Sequence, residues 1–525
     1  MWNQPYINYR RGAFLEITCM IELINRNMAR YLRFRYKNIQ YFMDRPFESQ
    51  DRIFKDLIRL AKNTEWGTKY NFASIENWEQ FNERVPVSTY DELKPSIIRM
   101  MYGQQDVLWP GEVKWFSKSS GTTNDKSKFI PVSSENLKKS HFKSTWDVLT
   151  FLYMNKPESN LFSGKNLGMG GSIAPFEGFP GTIIGDISGI LLKNSPPIGK
   201  SVQVPDTETS LIADWNVKIE KIARLTQKEN LISISGVPTW AVVLFRRIME
   251  LTGKENMLEV WPNAEVYIHG GVSFEPYKEQ FKRLFPSDDF TYLEVYNSSE
   301  GYFGIQDDLT KNDMLLLLNN EIFYEFIPFD DFETDRQKVI ELKDVELKKN
   351  YVLVVSTNAG LWRYIVGDTI RFTNLSPFKI KITGRVKHFI NVFGEEVMVS
   401  NTDKAVATTC SKFGVTIDNY TVAPVFLTRG KKGGHQWLVE FNKLPNDLDA
   451  FKKDLDLNLQ NINSDYEAKR FNDLALKELE LVPLPKGSFY KWMESRGKLG
   501  GQNKVPRLSN SREYVESILS FIIHI

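Results

Sequence analysis

The sequence predicts an α/β fold: a large N-terminal domain of α/β subdomains with a β-barrel-like part, followed by a smaller, mobile α+β domain. Before residue 314, short apolar runs alternate with helical patterns, as in largely parallel sheets covered by helices. From 314 to 372 only strands and turns follow one another, which marks a barrel-like or antiparallel insert. At 525 residues the chain is too long for one hydrophobic core. It divides into a helical extension (1–47), a large domain (48–372) and a small C-terminal domain (373–525).

The elements follow in order. Arg10 and Arg11 precede an apolar stretch, the charge order of a secretory leader. Glu16 and Glu22 interrupt that stretch and no small-residue cleavage site follows, so an amphipathic helix running on through NMARYLRFRYKNIQYF fits better. Its arginines read as a solvated face, with contact to a membrane surface as the alternative. Residues 48–100 read as helices with breaks, ending where Ser88 or Thr89 caps a helix. NLGMGGSIA, LISISGV, AEVYIHGG and FTYLEVYNSS read as buried strands; SLIADWNVKIEKIARLTQ and PTWAVVLFRRIMELTG lie among them as helices. The insert contains MLLLLNNEIFYEFIP and NYVLVVSTNAGLWRYIVGDTIRF. Beyond it come a Gly/Lys hairpin (TRGKKGGHQWLVEF), a polar helix near 446–475 and a loop-rich tail.

Composition excludes several classes. A hydrophobic content of 42% is that of a folded chain, and a net charge of +2 gives no sign of a nucleic-acid partner. Cys19 and Cys410 are the two cysteines, too few for a disulfide framework and suited to a reducing cytoplasm. Neither HExxH nor paired CxxC occurs. No stretch approaches the roughly 20 apolar residues of a membrane helix.

Chemistry concentrates at three places. KSSGTTNDKSKF (118–129) combines small residues, hydroxyls and lysines, the ingredients of a polyphosphate cradle. It is not the P-loop of NTPases, which requires glycine where Lys126 stands, and a flexible Ser/Gly turn is the plain alternative. FIPVSSENLKKS after it reads as the start of a helix. Gly270 and Gly271 follow an apolar strand, where backbone can approach a flat ligand. YNSSEG ends another strand in Ser298, Ser299 and Glu300, either an N-capping cluster or a site for Mg²⁺ carrying a nucleotide. In WRYIVGDTIRF, Asp368 is either part of a tight turn or a carboxylate for a ribose diol.

These stretches in serial order, followed by ITGRVKHFINVFGEEV, resemble the acyl-adenylate-forming enzymes: acyl-CoA ligases, luciferases and peptide-synthetase adenylation domains. The details are similar to one branch, the Gretchen-Hagen family of acyl-acid amido synthetases. SSGTTNDKSKFIP, YNSSEG and RYIVGD resemble its three signatures, with support from VPVSTYDELKPSIIRM, SGVPTW, FYEFIP, NTDK and GGQNKVPR. The likeness spans roughly residues 50 to 510.

The resemblance implies an ATP-dependent adenylation of a small carboxylic acid, then transfer of the acyl group to an amine such as an amino acid. It places Ser119, Ser120, Gly121, Thr122, Thr123 and Lys128 around the phosphates and Glu300 on Mg²⁺. Tyr296 and Gly270–Gly271 would frame adenine, Ser298 and Ser299 would face the α-phosphate, and Asp368 would hold the ribose near Arg385. Lys404 is a further phosphate candidate, and Lys504 occupies the place of the lysine bridging carboxylate and phosphate. Lys504 lies on the small C-terminal domain, a lid, so closure must deliver it, with a hinge expected at 372–378. Two features depart from the pattern: Asn124 and Asp125 stand where glycine is usual, and residues 1–47 have no counterpart. A thioester ligase using coenzyme A and a non-catalytic nucleotide-binding protein remain as alternatives.

Overall fold

The computed structural model describes residues 5–119, 128–332, 338–386, 389–390, 395, 397–425, 433–470, 476–499 and 504–523, with 5–23 described by backbone alone. A 12-stranded sheet forms its centre. In one half, strands Lys165–Gly168, Leu231–Gly236, Val266–Gly270 and Thr291–Asn297 run parallel, as the apolar runs predict. Helix Trp215–Thr226 is capped by Asp214, whose carboxylate accepts the Val217 N–H at 2.8 Å. Helix Pro238–Thr252 begins on proline and stops at Gly253, whose φ of 68° admits a glycine cap. Ile222, Leu244, Phe245 and Ile248 are buried with Ile234 and Tyr267 of the sheet in one core. Each such side chain contributes about 1.5–3 kcal/mol.

The insert is antiparallel and continues the same sheet. Strands Ile322–Pro328, Asn350–Thr357, Tyr364–Leu375 and Phe378–Arg385 all belong to it. The residues expected to hold the boundary at 372/373 and the hinge at 372–378 lie within this sheet. Phe378–Arg385 pairs with Tyr364–Leu375 on one side and with Met314–Leu316 on the other, so bending there would tear a ladder. The chain leaves the large sheet only after Arg385.

Helix Pro5–Asp44 is braced against helix Lys143–Asn155, where the Arg35 guanidinium donates to Asp147 at 2.8 Å. Among the described residues no helix is long and apolar enough to cross a membrane. Thr89, not Ser88, caps helix Tyr90–Met101, its backbone N–H and hydroxyl both donating to Glu92. The FIPV stretch is a strand, Lys128–Val132, and the helix after it starts at Ser134 under a Ser133 cap. In the small domain, strands Ile417–Val425, Gly434–Phe441 and Glu480–Leu484 form a three-stranded sheet. The tail, read as loops, holds helices Ser488–Ser495 and Glu513–Ile523, whose Phe489, Trp492, Val515 and Ile518 pack on Ala423 and Leu438.

Candidate active site

The carboxyl ends of the parallel strands open into a cleft of about 1840 Å³ shared by the two domains. Such a position collects ligands because backbone groups and turn residues converge there. Strands Trp115–Ser119 and Lys128–Val132 form an antiparallel pair in which Ser119 faces Lys128, pinning both ends of the hydroxyl-rich loop. Ser120, Gly121, Thr122 and Thr123 lie outside the described residues. Lys128 donates to the Tyr364 hydroxyl at 3.4 Å, and its ammonium stands 5.6 Å from the Tyr90 ring centre and 5.9 Å from that of Tyr364. Tyr90 is itself fixed, its hydroxyl accepting the Phe129 N–H at 2.9 Å. Two aromatic faces therefore bracket the lysine, a cation–π arrangement that keeps it extended.

Ser117 ties this hairpin to the second motif by donating to the Ser299 hydroxyl at 2.8 Å. Ser298 donates to Glu300 at 2.9 Å. Glu300 is only 6% exposed, and burial raises its pKa, opposed by the Ser298 hydrogen bond and the Lys128 charge.

Asp368 sits between two donors: the Tyr296 hydroxyl at 2.6 Å and the Arg385 guanidinium at 2.7 Å, each on a different oxygen. The Asp368 charge, outweighing burial, raises the pKa of Arg385. Each Asp368 oxygen keeps a lone pair for a further donor. The neighbouring Arg363 is buried at φ 45°, in the left-handed region. It donates to both oxygens of the buried Glu325 at 2.9 and 3.0 Å, to the Val85 carbonyl and to Asn82. Trp78 supplies another donor to Glu325. This network fixes the start of the strand that carries Tyr364 and Asp368. Arg363→Ala is expected to cost about 3–5 kcal/mol in a denaturant titration, because it strands a buried carboxylate. Replacing both partners by Met and Leu should recover most of that loss; a double variant as unstable as the single one would contradict the pairing account.

Gly270 and Gly271 form the wall opposite. A side chain at Gly270 would collide with the Val295 carbonyl, and Gly271 has φ 79° with the Lys504 ammonium 3.2 Å from where its Cβ would lie. Lys504 donates to the Gly271 carbonyl. The crowded site strips it of water and pushes its pKa down to about 8, with Arg385 adding repulsion and Asp368 opposing. Lys504 is carried by the small domain: Thr421 donates to the Pro506 carbonyl at 2.6 Å, and the Val422 N–H to that of Arg507 at 2.9 Å. Arg507 then crosses to the large domain, donating to the Tyr277 hydroxyl at 2.6 Å with its guanidinium 4.4 Å from the Tyr420 ring centre. Arg246 to Asn442 and Tyr490 to Asn216 add two further crossings. Lys404 lines the same cleft from helix Val399–Phe413 and is exposed.

Thus Ser119, Lys128, Gly270, Gly271, Tyr296, Ser298, Ser299, Glu300, Asp368, Arg385, Lys404 and Lys504 all belong to one cleft or its immediate wall. Sequence reading missed Tyr90, Ser117, Arg363 and Arg507 as positioning groups. It also missed Glu294, on the cleft wall, whose carboxyl is pushed up to about 7 by burial and by Glu275.

Comparison with known proteins agrees in order and begins at residue 35, inside the segment expected to have no counterpart. The chain matches the GH3 family N-terminal domain over residues 35–290, the central domain over 315–385 and the C-terminal domain over 400–513. An indole-3-acetic acid-amido synthetase of Arabidopsis thaliana is 23% identical over 90% of this chain and 91% of its own length. A 4-substituted benzoates-glutamate ligase of the same plant is 22% identical over 90% and 95%. The fold matches that of an acyl acid amido synthetase solved with 2,4-DB, with a TM-score of 0.74 at 17% identity over 90% of this chain and 93% of that one.

Proposed function

The chain belongs to the GH3 family, and we propose that it is an ATP-dependent acyl-acid amido synthetase. Relatives named for an indole acetic acid and for substituted benzoates match it over nine-tenths of both chains, which supports the reaction class and leaves the acid open. The observation that carries the reading is Lys504, projected from the small domain onto Gly271, where its charge is felt by Arg385 and Asp368.

In the first half-reaction, a carboxylate oxygen of the acid attacks the α-phosphorus of ATP and pyrophosphate leaves. Attack brings two anions together, so catalysis is mostly placement and charge neutralisation. Lys504 stands between the acid and the α-phosphate. Lys128 and the hydroxyl-rich loop hold the outer phosphates, with Lys404 a further cation at the rim. Gly270, Gly271 and Tyr296 frame the adenine, Asp368 accepts the ribose hydroxyls beside Arg385, and Ser298 and Ser299 face the α-phosphate. Glu300 fits a Mg²⁺ ion shared with the triphosphate, since that ion takes one or two protein carboxylates and fills its shell with phosphate oxygens and water. Bound there, it would neutralise phosphate charge. In the second half-reaction an amine attacks the acyl carbon, loses a proton and expels AMP. The small domain, beginning after Arg385, rotates between the two steps. ATP supply and the two-cysteine composition suit a cytoplasmic enzyme, with no nucleic-acid partner.

The test is pyrophosphate release across a panel of carboxylic acids, with product masses read after adding amino acids or coenzyme A. Amide mass with one acid–amino acid pair supports the reading; a coenzyme A thioester alone would replace it with a thioester ligase.

Asp368→Ala gives a narrower test. Each ribose hydrogen bond to a carboxylate is worth about 1.5–3 kcal/mol. Releasing Arg385 and Tyr296 harms all nucleotides alike, so the ratio between nucleotides isolates the ribose contact. ATP use should fall far more than dATP or 3′-deoxy-ATP use, which already lack one partner. Equal losses would remove Asp368 from the ribose.

A further inference from the structure

Helix Pro5–Asp44 is held by one face only. Leu32, Ile39 and Phe42 are buried, and Asn25 accepts the Tyr153 hydroxyl at 3.1 Å and the Phe162 N–H at 3.2 Å. On the opposite side Arg26, Arg30, Arg33 and Lys37 recur at alternating steps of four, three and four residues, all exposed. At 100° per residue they fall within a stripe roughly 60° wide. Among the described residues none of the four makes an ion pair, whereas Arg35, on the buried side, does. Among the residues with described side chains, one acid, Asp44, shares the stripe at its far end. Along its flank lie Tyr41 and Phe34, both exposed, with Phe34 the more open at 67% and the Lys37 ammonium 5.9 Å from its ring centre; Tyr31 lies further round, towards the buried side.

Exposed cations beside exposed aromatic rings are the composition of a helix lying in a lipid headgroup layer, where ammonium and guanidinium groups meet phosphates and rings sink to the acyl boundary. Phe34 favours lipid over an acidic protein surface, because an exposed benzyl ring gains from an apolar layer that a charged partner face does not offer. The location adds a second reason. The Tyr31 ring meets Trp146 edge-on at 5.9 Å, and Trp146, with Leu149, Leu161 and Phe162, lines the apolar end of the cleft. The helix therefore stands directly over the wall of the chamber.

We propose that the outward face of the N-terminal helix docks this protein on an anionic lipid surface, bringing the apolar end of its cleft beside the bilayer. The docking step does not depend on amide synthesis and is tested apart from it. Full-length protein is sedimented with vesicles of phosphatidylcholine alone and with 30% phosphatidylserine, at low and high salt. Binding is expected to the anionic vesicles only, and to weaken at high salt as the Debye length contracts. A basic side chain near such a surface is worth roughly fivefold in partitioning, so R26Q/R30Q/R33Q should lower binding about 10²-fold. A control triple elsewhere on the surface, K254Q/K282Q/R283Q, should leave it near the parent value. Phe34→Ser should weaken binding at both salt levels, and melting temperatures check that each variant is folded. No vesicle binding, equal binding to both lipids, or equal losses in the two triples would overturn the proposal, whatever protein partners the helix also captures.

Discussion

Lys504→Ala is expected to stop pyrophosphate release from acid plus ATP, by about 10³-fold, while still converting supplied acyl-AMP and amine to amide. Lys504 reaches the Gly271 carbonyl only because the small domain is docked, with Arg507 on Tyr277 holding the segment three residues away. In the proposed reaction its charge is needed where the attacking carboxylate and the α-phosphate meet. Once pyrophosphate has gone, no such pair of anions remains, and the amine step needs mainly an electrophilic carbonyl with AMP as leaving group. The same placement sets a pH dependence. With its pKa at about 8, the lysine is charged below that value and loses its proton as pH rises through it. Adenylation should therefore fall across pH 8, while the amine step, which uses the neutral amine, should rise. If acyl-AMP turnover fell as steeply as pyrophosphate release in a folded variant, Lys504 would belong to chemistry common to both steps and the rotation would lose its support.

Lys128→Ala is expected to lower adenylation by about 10²–10³ and to weaken ATP binding, with the melting temperature unchanged. The bracket of Tyr90 and Tyr364 orders the ammonium before any ligand arrives, so little side-chain entropy is lost on binding phosphate. The fold does not depend on this lysine. Tyr90 is held by the Phe129 N–H and Tyr364 by its buried position in the sheet, and both contacts persist in the variant. An unchanged ATP affinity and rate would return the loop to a plain Ser/Gly turn.

That the motifs meet in one cleft was legible because clusters of small, hydroxyl and charged residues stand at strand ends, and strand ends announce themselves through apolar runs. The hairpin across 372–378 was not. That part of RFTNLSPFKIKITGR is expected as a hinge, yet Ser376–Pro377 is the tip of a hairpin whose arms register Phe372 with Ile380 and Asp368 with Arg385. Turn chemistry looks the same whether it joins two strands of one sheet or two domains. The tail helices were hidden because Ser488–Ser495 is short and the stretch before Glu513–Ile523 is rich in Gly, Lys and Ser, while their apolar residues find their partners on the small sheet. Ser117 to Ser299 and Lys128 to Tyr364 span 182 and 236 residues, so no local pattern signals them. Arg363 lay inside a recognised motif, but its partner Glu325 lies on another strand, and burial alone distinguishes it from a solvated arginine.

The central claim is that the acid's own carboxylate attacks the α-phosphate, and oxygen transfer tests it most directly. The acid is labelled with ¹⁸O in its carboxylate, turned over with ATP and an amino acid, and the released AMP is weighed. One labelled oxygen should appear in the AMP phosphate, because the attacking oxygen leaves with AMP when the amine displaces it. Unlabelled AMP, or ADP accompanied by labelled inorganic phosphate, would mean that no acyl-adenylate forms, and the assignment of Lys504, Lys128 and Asp368 around an adenylation site would fall with it.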